Sequence, residues 1–335
     1  MPDQPFFARR DLMRHGATSA AALVAAPAVL AGLAPRSARA GIDTPDLAQP
    51  PWYRFGIGGF EATVLSDGIL NIGSAADNFP HADPVALQGV LADAFLSVEP
   101  VLLEQNALIL KAGDRLVLFD TGTGGAPILG DAHGRLMDNM HAAGFDPAAF
   151  TDIPLTHAHP DHCFGLIDAD GAPNFPNATV HLSQADFEFW TSEEMLGAEG
   201  LVGVIAEGAR RNLLPLRDRI AFVDDGQEVL PGITAMATPG HTVGHTCFVI
   251  ASGDASCLVI GDAAHHSVVS LRHPGWAFSF DTDPEAAAQS RVRILDMVAT
   301  DRMRVVGYHY PFPGIGHVSR TGDAFRYVPE PMRHG

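Results

Sequence analysis

Cysteine is scarce in this chain of 335 residues: Cys163, Cys247 and Cys257 are all there is, too few for a disulfide scaffold. Cys247 and Cys257 flank the turn Ser252-Gly253-Asp254, so a bridge between neighbouring strands stays open as an expectation in an oxidising compartment. Cys163 reads as a small buried hydrophobe. Positive charge is scarce too, with 21 Lys and Arg against 39 Asp and Glu. Five of the arginines and two of the acids precede position 41, so the remainder carries 16 basic against 37 acidic residues, a net of −21. That balance repels polyanions, and without a basic stripe to meet a phosphate backbone the chain is not expected to bind nucleic acid. No Gly-x-Ser-x-Gly elbow occurs, which removes the usual serine hydrolase. There is no low-complexity linker and no short-period repeat.

The length and the 47% hydrophobic content suffice for a full core in one large domain. The N-terminus reads as an export signal over residues 1–40. Arg9-Arg10 precedes a weakly hydrophobic, Ala-rich stretch from Ala17 to Ala34, and Ser37-Ala38-Arg39-Ala40 has the small-x-small pattern of a cleavage site. The arginine pair suggests the twin-arginine route. Pro27, Pro35 and the low hydrophobicity argue against a stable membrane anchor. The expectation is a mature domain over 41–335, periplasmic or secreted, with a homodimer left open.

Thr156-His157-Ala158-His159-Pro160-Asp161-His162 packs three imidazoles and a carboxylate into six consecutive positions. Neutral imidazole and carboxylate suit Zn, Fe or Mn, and His-x-His followed by Asp-His supplies donors for two adjacent ions. Further donors stand just beyond later β-type runs. His241 and His245, in Gly240-His241-Thr242-Val243-Gly244-His245, follow Ile233 to Thr238. Asp262 follows Cys257 to Ile260, and His309 follows Arg304 to Tyr308. Strand ends are where sites on sheet scaffolds usually sit.

With these motifs in order, and with Asp120-Thr121-Gly122 before them, the chain resembles the metallo-β-lactamase-fold hydrolases. Phe60 to Gly68 near the start, and Phe312 to His317 with Tyr327-Val328-Pro329 near the end, are similar to the methyl parathion hydrolase group and its related lactonases and arylesterases. The resemblance implies an α+β fold, a four-layer αββα sandwich. It implies that His157, His159 and His241 bind one metal, that Asp161, His162 and His309 bind the other, and that Asp262 bridges them. Asp120 would orient the ligand loop by hydrogen bonds. The cofactors expected are two divalent ions, Zn first, with Mn or Fe as alternatives.

The coarse pattern predicts a first strand pair over Tyr53 to Leu70 and a hairpin over Ala107 to Phe119 turning at Gly113-Asp114. It predicts a helix over Arg135 to Ala143 and another opened by Asp283-Pro284-Glu285 and running to about Ala299. The stretch Phe187 to Leu216 reads as an insertion that could cap the metal cleft. Phe189, Trp190 and His265 are its expected substrate contacts, while His266 and His317 are ambiguous.

Two ions ~3.5–4 Å apart can lower the pKa of a shared water towards ~7, and Asp161 is the candidate for handling its proton. The expected substrate is a small lactone, aryl ester or phosphotriester. The alternatives are a thioesterase and a sulfur dioxygenase with a single iron, which metal analysis would separate.

Overall fold

The computed structural model describes residues 49–126, 130 and 132–333; the expected export signal lies outside them. The local sequence explains most of the strand pairing. Gly58-Gly59 turns β1 (Trp52–Ile57) into β2 (Phe60–Asn71), which pairs with β3 (Leu102–Ala112), and Gly113-Asp114 turns β3 into β4 (Arg115–Phe119). Gly113 sits at φ +65°, which glycine adopts at no steric cost. Beyond this antiparallel half, β5 (Asp152–Pro154), β6 (Thr179–Ser183) and β7 (Ile220–Val223) add in parallel, completing a seven-stranded sheet in chain order.

The second seven-stranded sheet also follows chain order. It comprises β8 (Glu228–Leu230), β9 (Ile233–Ala237), β10 (Thr246–Ser252), β11 (Ala255–Val259), β12 (Arg304–Val306), β13 (Ile315–Thr321) and β14 (Ala324–Pro329). Only β11 and β12 run parallel, because a long helix returns the chain between them. The helices among the described residues are α1 (Ala75–Asn78), α2 (Pro84–Asp93), α3 (Leu136–Ala142), α4 (Pro160–Cys163), α5 (Gln184–Thr191), α6 (Glu193–Leu196), α7 (Leu201–Leu213), α8 (Val269–Arg272) and α9 (Pro284–Thr300).

Side-chain alternation along the strands builds the layers. In β3, Leu108 and Leu110 belong to the core shared with Ile233, Phe248, Val259 and Val306 of the second sheet, whereas Ala107 and Ile109 belong to the separate core on the outer, helix-covered face. In α9, Asp283 caps the first turn, and Ile294, Leu295 and Val298 pack fully buried on Leu258 and Val305. Each such side chain contributes about 1.5–3 kcal/mol by burial. Helices on both outer faces give the expected four-layer αββα sandwich. No described helix is long and apolar enough to cross a membrane.

The cysteines answer a question the sequence left open. Ile250 of β10 pairs with Cys257 of β11, so Cys247 stands an odd number of positions from the partner of Cys257 and points to the opposite face. Cys257 lies between the sheets, Cys247 lies under α9, and all three cysteines are free thiols.

Candidate metal centre

The C-terminal ends of β4, β5, β9, β11 and β12 deliver their following residues to one place at the edge of the sandwich. After β5 the chain runs extended through His157 and His159 and then starts α4, whose first turn carries Asp161 and His162. His157 Nε2 lies 3.2 Å from His241 Nε2, and His159 Nδ1 lies 2.9 Å from the same atom. On the other side, His309 Nε2 lies 3.3 Å and His162 Nε2 3.4 Å from Asp161 Oδ2. Asp262 stands between the two groups. Its Oδ2 is 3.3 Å from His241 Nε2 and 3.9 Å from His157 Nε2, and its Oδ1 is 3.2 Å from His162 Nε2 and 3.3 Å from His309 Nε2.

These spacings match the ~3.4 Å between neighbouring ligand atoms on a tetrahedral ion with ~2.1 Å bonds. His162 Nε2 and Asp262 Oδ1 are also buried without a hydrogen-bond partner, a costly state for polar atoms unless something else satisfies them. The residues therefore fit a pair of divalent ions. The structure brings together all seven residues that the sequence nominated as ligands: His157, His159, Asp161, His162, His241, Asp262 and His309.

A second layer of groups aims each ligand. Asp120, at φ +60°, accepts from the Thr156 backbone N–H at 2.7 Å and from the Thr156 hydroxyl at 2.9 Å, and its Oδ2 lies 2.9 Å from His162 Nδ1. His309 Nδ1 donates to the Glu104 carbonyl at 2.7 Å. His241 Nδ1 lies 3.2 Å from Asp281 Oδ1, and the other oxygen of Asp281 meets Arg291, a fully buried guanidinium that also donates to the carbonyls of Ala263, Pro274 and Trp276. Asp186 accepts from the backbone N–H groups of Ala158 and Gly244, tying two ligand loops together. The Tyr308 hydroxyl donates to the Asp161 carbonyl while its ring lies on His162.

His245 is a support rather than a ligand. Its Nδ1 meets the Thr238 hydroxyl at 2.7 Å and its Nε2 accepts the Asp262 backbone N–H at 2.9 Å. Burial drives its pKa down to about 3, which keeps it a neutral acceptor. Gly261, at φ +49°, leaves room for this contact, since a Cβ there would come 2.7 Å from His245 Nε2.

The two halves of the centre differ in charge. Burial, reinforced by neighbouring imidazoles, holds His157 and His159 well below the usual histidine range and His241 at about 4. Burial also opposes charge on His162 and His309, but there the carboxylates outweigh it. Asp262, Asp161 and Asp120 raise His162 well above its ordinary value, and Asp262 and Asp161 raise His309 to about 10. Asp161 and Asp262 are correspondingly held below the carboxylate range by these imidazoles despite their burial.

A cleft opens on the centre. His159, Asp161, His241, Asp262, His265 and His309 form its floor, and Leu70, Ile72, Leu103, Leu201, Ile205, Phe278 and Phe280 form its walls, with no Lys or Arg among its lining residues. The nominated substrate contacts divide. His265 lines the cleft. Phe189 and Trp190 do not: Trp190 is buried in the core with its ring 5.1 Å from that of His159, and Phe189 packs beside it. The insertion reaches the cleft two helices later, through Leu201 and Ile205 of α7, because α5 turns its aromatic face onto the first sheet. His266 is buried and accepts from the backbone N–H groups of Val268 and Val269, and His317 is exposed on β13. Sequence reasoning missed Asp186, Asp281 and Arg291, which carry no local signal and matter only through their partners.

Comparison with known proteins agrees with this geometry. The metallo-beta-lactamase superfamily matches residues 101–309. An N-acyl homoserine lactonase, AttM, from Rhizobium johnstonii is 31% identical over 117 residues, and its counterpart from Agrobacterium fabrum is 29% identical over 143. The matches cover 34% and 42% of this chain but only 41% and 50% of those relatives. Two solved structures are covered completely. AidC, a dizinc quorum-quenching lactonase in complex with a product, N-hexanoyl-L-homoserine, superposes on 85% of this chain with a TM-score of 0.77 and 28% identity. The hydrolase AbOPH superposes on 86% with a TM-score of 0.80 and 26% identity.

Proposed function

The chain belongs to the metallo-beta-lactamase superfamily, and from that premise we propose that it is a dinuclear metal-dependent hydrolase of uncharged lactones and esters. The observation that carries the reading is the bridging position of Asp262, with one carboxylate oxygen facing each of two complete ligand sets. A single-iron oxygenase has no use for the second set. The ions are proposed to be zinc, in keeping with the donor set and with AidC, and N-acyl homoserine lactones are the substrate class that the relatives favour.

When bound, the two ions would supply a water of lowered pKa and a Lewis acid for the substrate oxygen. The chain's own residues would do the rest. Asp161, at the cleft floor beside His162 and His309, is placed to accept a proton and pass it to the departing oxygen. The apolar walls would exclude bulk water and hold an acyl or aryl group. With no Lys or Arg lining the cleft, a substrate carrying a carboxylate, such as a β-lactam, would find no side-chain ammonium or guanidinium to pair with. Aryl esters and phosphotriesters have the same uncharged character. The proposal also places the protein in the periplasm or outside the cell, on the sequence of residues 1–40 alone.

The test is to load the purified protein with zinc, count metal per chain, and assay an N-acyl homoserine lactone, an aryl ester, a phosphotriester and a thioester. Two ions and chelator-sensitive opening of the lactone are expected. One iron per chain with no lactone turnover would sink the reading.

A further inference from the structure

Five of the six polar side chains on the cleft floor, His159, Asp161, His241, Asp262 and His309, belong to the ligand sets. His265 does not. It is 1% exposed, and its ring lies on Phe278 with centroids 3.9 Å apart and planes 30° from parallel, while its neighbour His241 meets it edge-on at 4.4 Å. That packing leaves the imidazole one orientation. Its Nε2 stands 3.1 Å from Asp262 Oδ2 at the cleft floor, yet neither ring nitrogen makes a well-directed hydrogen bond. Burying an imidazole N–H without a good acceptor is unfavourable, and the seven other donors already complete both ligand sets. A rigid, under-satisfied donor beside the bridging carboxylate has the properties of a group whose partner arrives with the substrate.

We propose that His265 is a catalytic residue whose Nε2–H hydrogen-bonds the substrate carbonyl oxygen and strengthens that bond as negative charge develops there. The proposal rests on the hydrolase reading above. The step moves no proton off the ring: the Nε2–H donates and stays on nitrogen as the carbonyl carbon is attacked. A donor fixed before the reaction does not have to be reorganised during it, which is why such groups favour the transition state over bound substrate. The side chain therefore acts on kcat more than on KM. Phe278 is the positioning residue that holds the ring flat against the cleft wall.

His265→Ala and His265→Gln, each loaded with zinc, test this. Metal per chain and the visible spectrum of the cobalt-loaded form should match those of wild type in both variants. Lactone turnover should fall by roughly 10²–10³ in kcat for His265→Ala, with KM changed by less than about threefold. His265→Gln, which restores an N–H donor, should recover at least tenfold of that loss. Loss of an ion or an altered cobalt spectrum would make His265 a ligand and overturn the proposal. So would unchanged kcat in both variants, or a loss that Gln does not relieve and that tracks a lowered melting temperature. Failure of wild type to turn over any lactone or ester would instead refute the parent reading, and this one with it.

Discussion

Asp120 Oδ2 lies 2.9 Å from His162 Nδ1, and this contact turns the opposite ring nitrogen to within 3.2 Å of Asp262 Oδ1. The carboxylate sits on a left-handed residue at the end of β4, a conformation that Asp and Asn tolerate better than most side chains. Asp120→Asn should therefore keep the fold while losing the charge that fixes the imidazole. Zinc affinity at the Asp161, His162 and His309 set should fall about 10- to 100-fold, measured by chelator competition. An unchanged affinity would mean that the Thr156 contacts suffice.

Asp262→Ala removes the one carboxylate that, among the described residues, faces both ligand sets. The protein should hold at most one zinc per chain, with its circular dichroism unchanged. Two tightly bound ions in that variant would show that Asp262 is not the bridge.

The charge asymmetry predicts how the metals load. His241, at about 4, and the still lower His157 and His159 carry no proton to displace near neutrality. His309, raised to about 10 by Asp262 and Asp161 against the effect of burial, must give one up. Because that group is protonated below its pKa, affinity at its set should rise with pH up to about 10, roughly tenfold per unit for each proton released. The other set should be nearly indifferent between about pH 6 and 8. Calorimetric titration resolves the two steps, and equal pH slopes would contradict the asymmetry.

Trp190→Ala should behave as a core truncation, costing about 3–5 kcal/mol of stability. By freeing the His159 ring it should also weaken the His157, His159 and His241 set. Aryl and aliphatic substrates should suffer alike. A loss confined to aryl substrates, with stability intact, would return Trp190 to the cleft wall.

In the first sheet, Asp152 meets His181 at 2.9 Å and Arg115 at 2.8 Å. Burial opposes its charge, but these partners outweigh it and hold the carboxyl at about 2. A depressed carboxyl stabilises the fold above its unfolded value of ~3.9, and that contribution, on the order of 2 kcal/mol, fades as pH falls through about 2. Asp152→Asn should thus be less stable than wild type in urea at neutral pH, with the gap closing on acidification. A gap independent of pH would point to packing alone.

The seven ligands were legible because each lies in a short motif that follows a strand, and the family resemblance carried by those motifs assigned the donors to two ions. The hairpins at Gly58, Gly113 and Gly253 and the helix opened by Asp283 were legible because turn and cap chemistry is local. What only the tertiary structure decided are relationships between distant segments. Whether Trp190 faces the cleft or the first sheet depends on how α5 rolls on its neighbours. Cys247 and Cys257 part because the β10–β11 register sets an odd offset between them. Asp186, Asp281 and Arg291 become supports, and His265 an unpartnered donor on the cleft floor, through contacts that packing creates and no spacing along the chain encodes.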